Sequence, residues 1–181
     1  MAHHALVSIF CPDRVGLVAA VAARLFDLGA NLGDASFTVL GEGAEFASLC
    51  ELPDEVDAGA VKAALADLPE LADARIEVHR FELGALQGAS GTVTHRVECL
   101  GRDRPGLVAR LAEVFGDFGA NVVRMTCETR PGPDGESYAI RFAVSIPERR
   151  AEACLAALGN TAEGLGQSLH WEAVTRPAPP G

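Results

Sequence analysis

No run of apolar residues in this 181-residue chain approaches the roughly 20 that a membrane-spanning helix needs, so no membrane partner is expected. The opening Met1-Ala2-His3-His4 has neither a basic region nor an apolar signal stretch, and the chain is read as cytoplasmic. Positive charge is scarce as well. Lys and Arg number 15 against 25 Asp and Glu, a formal net charge of −10. The imbalance is uneven: residues 1–90 hold 5 basic and 14 acidic side chains, residues 91–181 hold 10 and 11. An acidic chain lacks the counterion-release contribution behind most non-specific nucleic-acid affinity. No basic stripe, zinc-finger spacing or helix-turn-helix pattern offsets that, so direct nucleic-acid binding is not expected.

Catalytic and metal-binding patterns are missing too. The five cysteines (Cys11, Cys50, Cys99, Cys127, Cys154) are odd in number, widely spaced and never form C-x-x-C. Each sits among apolar neighbours, which reads as small buried hydrophobes in a reducing compartment. The histidines (His3, His4, His79, His95, His170) have no metal-ligand spacing, and His95 falls on the apolar face of an alternating strand as a core histidine. There is no Gly-x-Ser-x-Gly, no Walker loop and no Gly-x-Gly-x-x-Gly in a strand-to-helix turn. No cofactor and no enzymatic activity is expected. Arg130–Glu136 reads as an exposed hairpin tip, and Arg149-Arg150 as a solvated face at a helix start.

What is present is a repeat. Residues 11–31, CPDRVGLVAAVAARLFDLGAN, return at 101–121 as GRDRPGLVARLAEVFGDFGAN, identical at 11 of 21 positions with no gap. Two copies are too few for a solenoid and point to a duplicated globular domain. The expected layout is a first domain at 1–84, a Gly/Ala/Ser linker at 85–91, a second domain at 92–176, and a proline-rich tail at 177–181.

Each copy carries the same order of elements. Strands are expected at His4–Phe10 and, by alternation of Val93, His95, Val97 and Cys99, at the matching place in the second copy. A helix follows, with Leu17, Val21, Leu25 and Leu28 on one stripe and Leu107, Leu111, Phe115 and Phe118 repeating it. Gly29 and Gly119 end these helices. Hairpins follow, Leu32–Leu40 with Ala44–Leu52 and Val122–Arg130 with Ser137–Ile146. Helices at Ala58–Leu68 and Glu148–Leu158 and strands at Arg75–Leu83 and Ser168–Val174 complete the units. The order is βαββαβ twice: an α+β fold of two tandem ferredoxin-like domains, each an antiparallel sheet with both helices on one face. The other face has no cover within its unit, so pairing with a second copy of the domain is expected.

The matched loop-to-helix junctions, Asp13-Arg14-Val15-Gly16-Leu17-Val18 and Asp103-Arg104-Pro105-Gly106-Leu107-Val108, hold the chemistry. Pro105 suits a first helical turn, and the glycines leave space above the backbone. A helix N-terminus offers unpaired N–H donors to a carboxylate or phosphate. Asp13 and Asp103 either cap those donors or accept from an ammonium group. A carboxylate beside an anion receiver fits a zwitterionic amino acid. The same residues also serve simply as helix-start signals. Asn31 and Asn121, just after the glycine caps, either bond their own backbone or face the same pocket.

Asp-Arg-Pro-Gly-Leu-Val, a helix, then Gly-Ala-Asn-Val within a βαββαβ unit resembles an ACT domain, a small regulatory module. Cys11-Pro12-Asp13-Arg14-x-Gly16-Leu17-Val18, Gly29-x-Asn31-Leu32, Asp34-Ala35-Ser36 and Leu40-Gly41-Glu42 with Phe46 are similar to the glycine cleavage system transcriptional repressor family, built of two such domains. Val15 departs from that pattern, which has proline there. The Cys-Pro-Asp-Arg-x-Gly motif also opens ACT domains attached to formyltetrahydrofolate hydrolase, and no hydrolase domain is present. The resemblance implies a small amino-acid ligand (glycine or serine), a homodimer through ACT pairing, and action through a transcriptional activator or another regulated protein. The implied ligand residues are Asp13, Arg14, Gly16, Leu17 and Asn31, with Asp103, Arg104, Gly106, Leu107 and Asn121. The alternatives are a scaffolding module that binds no ligand and a small hydrolase on the ferredoxin-like fold.

Overall fold

The computed structural model describes residues 2–84, 88–132 and 135–174. Part of the expected linker (85–87), the tip residues 133–134 and the tail at 177–181 lie outside the described residues. The chain divides into two compact units, 1–85 and 86–181.

The first unit runs β1 (His3–Pro12), α1 (Leu17–Asp27), β2 (Asn31–Leu40), β3 (Gly43–Leu52), α2 (Ala58–Ala66) and β4 (Arg75–Arg80). The second repeats it as β5 (His95–Gly101), α3 (Leu107–Asp117), β6 (Asn121–Gly132), β7 (Gly135–Ser145), α4 (Ala151–Gly164) and β8 (Ser168–Ala173). Both sheets are four-stranded and antiparallel, ordered β2-β3-β1-β4 and β6-β7-β5-β8. This is the ferredoxin-like βαββαβ arrangement, twice.

Alternation builds the first core. Ala5, Val7, Ile9 and Cys11 of β1 point toward the helices with Ala44, Phe46, Cys50 and Leu52 of β3. Leu17, Val21 and Leu25 of α1 close over them with Val61 and Leu65 of α2. In the second unit Leu107, Leu111 and Phe115 play the same part, and the Phe115 ring meets Phe142 edge-on at 5.2 Å. Gly29 (φ +74°) and Gly119 (φ +66°) reverse the chain after α1 and α3, with Ala30 N–H donating to Leu25 O and Ala120 N–H to Phe115 O. Asp57 caps α2, accepting from Ala60 N–H at 2.7 Å.

Several boundaries differ from expectation. Val93 lies before β5, which starts at His95. The last helix runs Ala151–Gly164 rather than Glu148–Leu158, because the buried stripe of Cys154, Leu155, Leu158 and Ala162 carries it six residues further. Glu148–Arg150 form a 3-10 turn ahead of it, and Arg150 Nη1 donates to Asp117 O at the end of α3. His95 is half-buried, bonded to Thr94 Oγ1 at 2.9 Å and edge-on to Trp171 at 6.0 Å. Four cysteines are buried and free, and Cys127 is half-buried and free. Burial raises the pKa of the Cys11, Cys50, Cys99 and Cys154 thiols, which keeps them unreactive.

The two open sheet faces differ in how far they need a cover. The open face of the first unit is mixed, with Leu6 and Leu49 half-buried and Phe10 and Leu40 exposed. That of the second is charged: Arg96, Glu98, Arg124, Glu128, Arg141 and Glu172 stand on it in pairs such as Arg96–Glu172 and Arg141–Glu98. Such a face is stable in water.

Candidate ligand-binding site

The duplicated junction is a type II turn at the start of each long helix. Leu17 N–H bonds to Arg14 O, and Gly16 holds φ +90°, ψ −5°. Leu107 N–H bonds to Arg104 O, and Gly106 holds φ +83°, ψ 0°. That third position of a type II turn requires positive φ, and proline favours the position before it. Pro105 therefore occupies the turn ahead of the helix, not its first helical turn, because α3 starts at Leu107. Val15 takes the same place in the first unit and is fully exposed.

Neither helix receives a side-chain cap, so the expectation that Asp13 and Asp103 cap these donors is corrected. Gly16 and Gly106 are the N-cap residues, and Asp13 instead is fastened through its backbone, its N–H donating to Glu42 O at 2.9 Å. The first intrahelical bonds run from Ala20 to Gly16 and from Arg110 to Gly106. The N–H groups of Val18 and Ala19, and of Val108 and Ala109, therefore precede any intrahelical acceptor. No atom lies within 4 Å of the place a Cβ would take on Gly16 or Gly106. Asp13, Asp103, Arg104 and Pro105 are exposed, Val18 is exposed and Val108 half-buried. Leu17 and Leu107 are buried and anchor the helices to the core.

Arg14 has a structural task. Its Nη1 donates to Pro69 O at 3.0 Å and Glu70 O at 3.4 Å, tying the turn to the 3-10 turn Pro69–Leu71. Arg104 lies against the corresponding bend after α4, its Nη2 3.6 Å from where a Cβ on Gly166 would stand.

Asn31 and Asn121 do not share a pocket with the turn of their own unit, which corrects that alternative. Asn31 pairs with Glu51, and Glu51 pairs with His4 at the beginning of β1, whereas Asp13 follows the end of β1. The 11 residues of α1 carry the chain back along the sheet by about 16 Å between the two points. Asn31 is exposed, and Asn121 donates through Nδ2 to Ser90 O at 2.8 Å.

Sequence reasoning missed one contrast between the loops. In the second unit Gln167 is buried and lies over Gly101, its Nε2 donating to Arg102 O at 2.8 Å. The first unit has Cys11 and Ala74 at those places, a buried thiol side chain on the strand and a small residue opposite it. The exchange of a large for a small partner was written at positions 63 and 66 residues apart, beyond the reach of local pattern. Among the described residues no group of three or more His, Cys, Asp and Glu side chains could hold a metal ion, and no helix is long and apolar enough to cross a membrane.

Comparison with known proteins agrees with this geometry. The family model described as ACT domain matches residues 5–70 and 95–153. A crystal structure of a protein of unknown function from Galdieria sulphuraria superposes with a TM-score of 0.78 at 23% identity, covering 97% of this chain and 100% of the other. A protein provisionally assigned as a glycine cleavage system transcriptional repressor superposes with a TM-score of 0.69 at 14% identity, covering 97% and 99%. No curated protein matches in sequence.

Proposed function

The chain belongs to the ACT domain family, carrying the domain twice, and from that premise we propose that it is a regulatory, non-enzymatic sensor of a small amino acid, with glycine and serine as the first candidates. The observation that carries this is the duplicated type II turn: two helix starts with free N–H groups, no capping side chain and open space over each glycine. A ligand carboxylate is received by the first-turn amides of α1 or α3, and its ammonium group is met by Asp13 or Asp103. The acidic charge supports action through a protein partner, such as a transcriptional activator, rather than by contact with DNA.

Pairing supplies the rest of the site. β2 is an edge strand whose Phe37, Val39 and Leu40 are exposed, and α1, which packs against it, exposes Val18 and Phe26. An edge with this much apolar surface is a template for another strand. In an antiparallel pair of β2 strands, the start of one lies beside the end of the other. Asn31 of one protomer is then carried to the turn of its partner, which explains a motif whose members sit at opposite ends of one unit. A homodimer of this kind has its ligand at the seam.

A thermal-shift series of the full chain against each common amino acid tests the sensing reading. A ligand at 100 times its Kd stabilises the folded state by about 2.7 kcal/mol, a readily visible rise in Tm. A flat response across the whole set contradicts it. The second reading, a ligand-free scaffolding module, draws on Arg14 and Asn121, whose side chains are committed to backbone carbonyls. It gives the flat response.

A further inference from the structure

One transverse row shows how the open sheet faces of the two units differ. In the first unit Leu6 of β1 faces Leu49 of β3. In the second, the place of Leu6 is held by Arg96 of β5, and its partner on β7 is Ala143. Ala143 is flanked on its other side by Arg124 of β6, and Arg96 by Glu172 of β8. The row therefore reads Arg124, Ala143, Arg96, Glu172. Neighbouring strands lie about 4.8 Å apart, so the two arginines rise roughly 10 Å from each other with only a methyl group between them. The next row reads Thr126, Arg141, Glu98, His170. The two rows line a hollow of about 390 Å³.

The guanidinium groups in this hollow are unequally occupied. Arg141 gives Nε to Glu98 at 2.9 Å and Nη1 to Glu128 at 3.1 Å. Among the described residues Arg96 gives only Nη1, to Glu172 at 3.0 Å, and its other N–H groups meet no acceptor there. Arg124 has no ion-pair partner among the described residues. Glu172 offsets the charge of Arg96 while Arg124 has no such partner among the described residues, so an anion seated between the two arginines gains donors from both. A planar guanidinium presents paired N–H groups that match the oxygens of phosphate and carboxylate. The unoccupied row has that geometry, and the leucine pair in the first unit shows that the fold itself does not demand it.

We infer that this notch binds a compact oxyanion with at least two charged oxygens, a phosphoryl group or a dicarboxylate, held between Arg124 and Arg96 over Ala143. The site is on the sheet face away from the helices and does not rest on the amino-acid reading above. Thr126 and Arg141 border it and supply further donors, while Glu172 and Glu98 hold the outer arginine groups in place.

The test is calorimetric titration of the full chain with inorganic phosphate and, separately, with succinate, at matched ionic strength. Saturable binding of either probe is expected, and the stronger of the two tells phosphoryl from carboxylate recognition. Arg124→Gln removes an exposed side chain and weakens binding by about tenfold or more, the loss of a charged hydrogen-bond donor. Ala143→Leu restores the bulk found in the first unit and closes the notch with both arginines present. Arg110→Gln, an equal loss of charge on α3, leaves binding unchanged. No saturable heat with either probe up to about 10 mM overturns the inference. An equal loss in Arg110→Gln and Arg124→Gln also overturns it, because net charge alone then accounts for the binding.

Discussion

At the scale of single residues, the turn glycines decide the candidate site. Gly16 and Gly106 have open space around them, so a side chain there meets no atom and the whole cost of substitution lies in the left-handed backbone. Gly16→Ala is expected to lower stability by about 1 kcal/mol, read as a shift in the urea midpoint. Val15→Pro should act the other way, raising stability by about 0.4–1 kcal/mol, because it stiffens the unfolded chain at a position where the second unit already carries proline. The Gly101 and Gln167 pair gives a sharper case. A Cβ on residue 101 would come within 2.2 Å of Gln167 Oε1, so Gly101→Ala is expected to cost about 1–3 kcal/mol. Combining Gly101→Cys with Gln167→Ala reproduces the arrangement of the first unit and should recover most of that loss in a double-mutant cycle. His95 adds a pH dependence. Burial lowers its pKa, so the folded state prefers the neutral ring and the unfolded state binds the proton more readily. Its contribution is present above the ordinary histidine pKa of about 6.5 and is lost as the pH falls through and below that value. The drop in urea midpoint from pH 8 to pH 5.5 should therefore be smaller in His95→Phe than in the natural chain.

At the scale of elements, the sequence was legible where the signal is local. The leucine and phenylalanine stripes of α1 and α3, the glycines that end them and the alternation of β1 and β5 all follow from neighbours a few residues apart. Pro105 was misplaced by two residues because Pro-Gly reads equally as a helix start and as a type II turn. The separation of Asn31 from the turn of its own unit was hidden for a different reason. Nothing local says that an 11-residue helix returns the chain to the far end of the sheet before Asn31 is reached. The arginine row was hidden in the same way, since Arg96, Arg124 and Ala143 come from three strands and meet only through register. The alternation of Arg124, Thr126 and Glu128 was the available signal that this face is polar. Pairing through β2 also belongs to this scale. Val39→Lys places a charge on the exposed apolar edge and is expected to convert a dimer to a monomer in sedimentation analysis while leaving the fold intact. A dimer unchanged by that substitution places the interface elsewhere.

The whole molecule is one unit used twice with two outcomes. The turn, its glycine and the helix behind it recur in both copies, the geometry on which the proposed ligand sites rest. The open sheet faces diverged, one with leucines at its centre and one with arginines. The charge imbalance follows the same division, with the acidic excess concentrated in residues 1–90. In the proposed sensing role, matched turns would hold similar ligands while the differing outer faces present different surfaces to partners. The most direct measurement is calorimetric titration of the amino acid that gives the largest thermal shift into the natural chain and into the double variant Gly16→Val with Gly106→Val. Saturable binding that is lost in a double variant still folded by circular dichroism is the expected result. Binding that persists unchanged when both turns are altered, or no binding by any amino acid, contradicts the account.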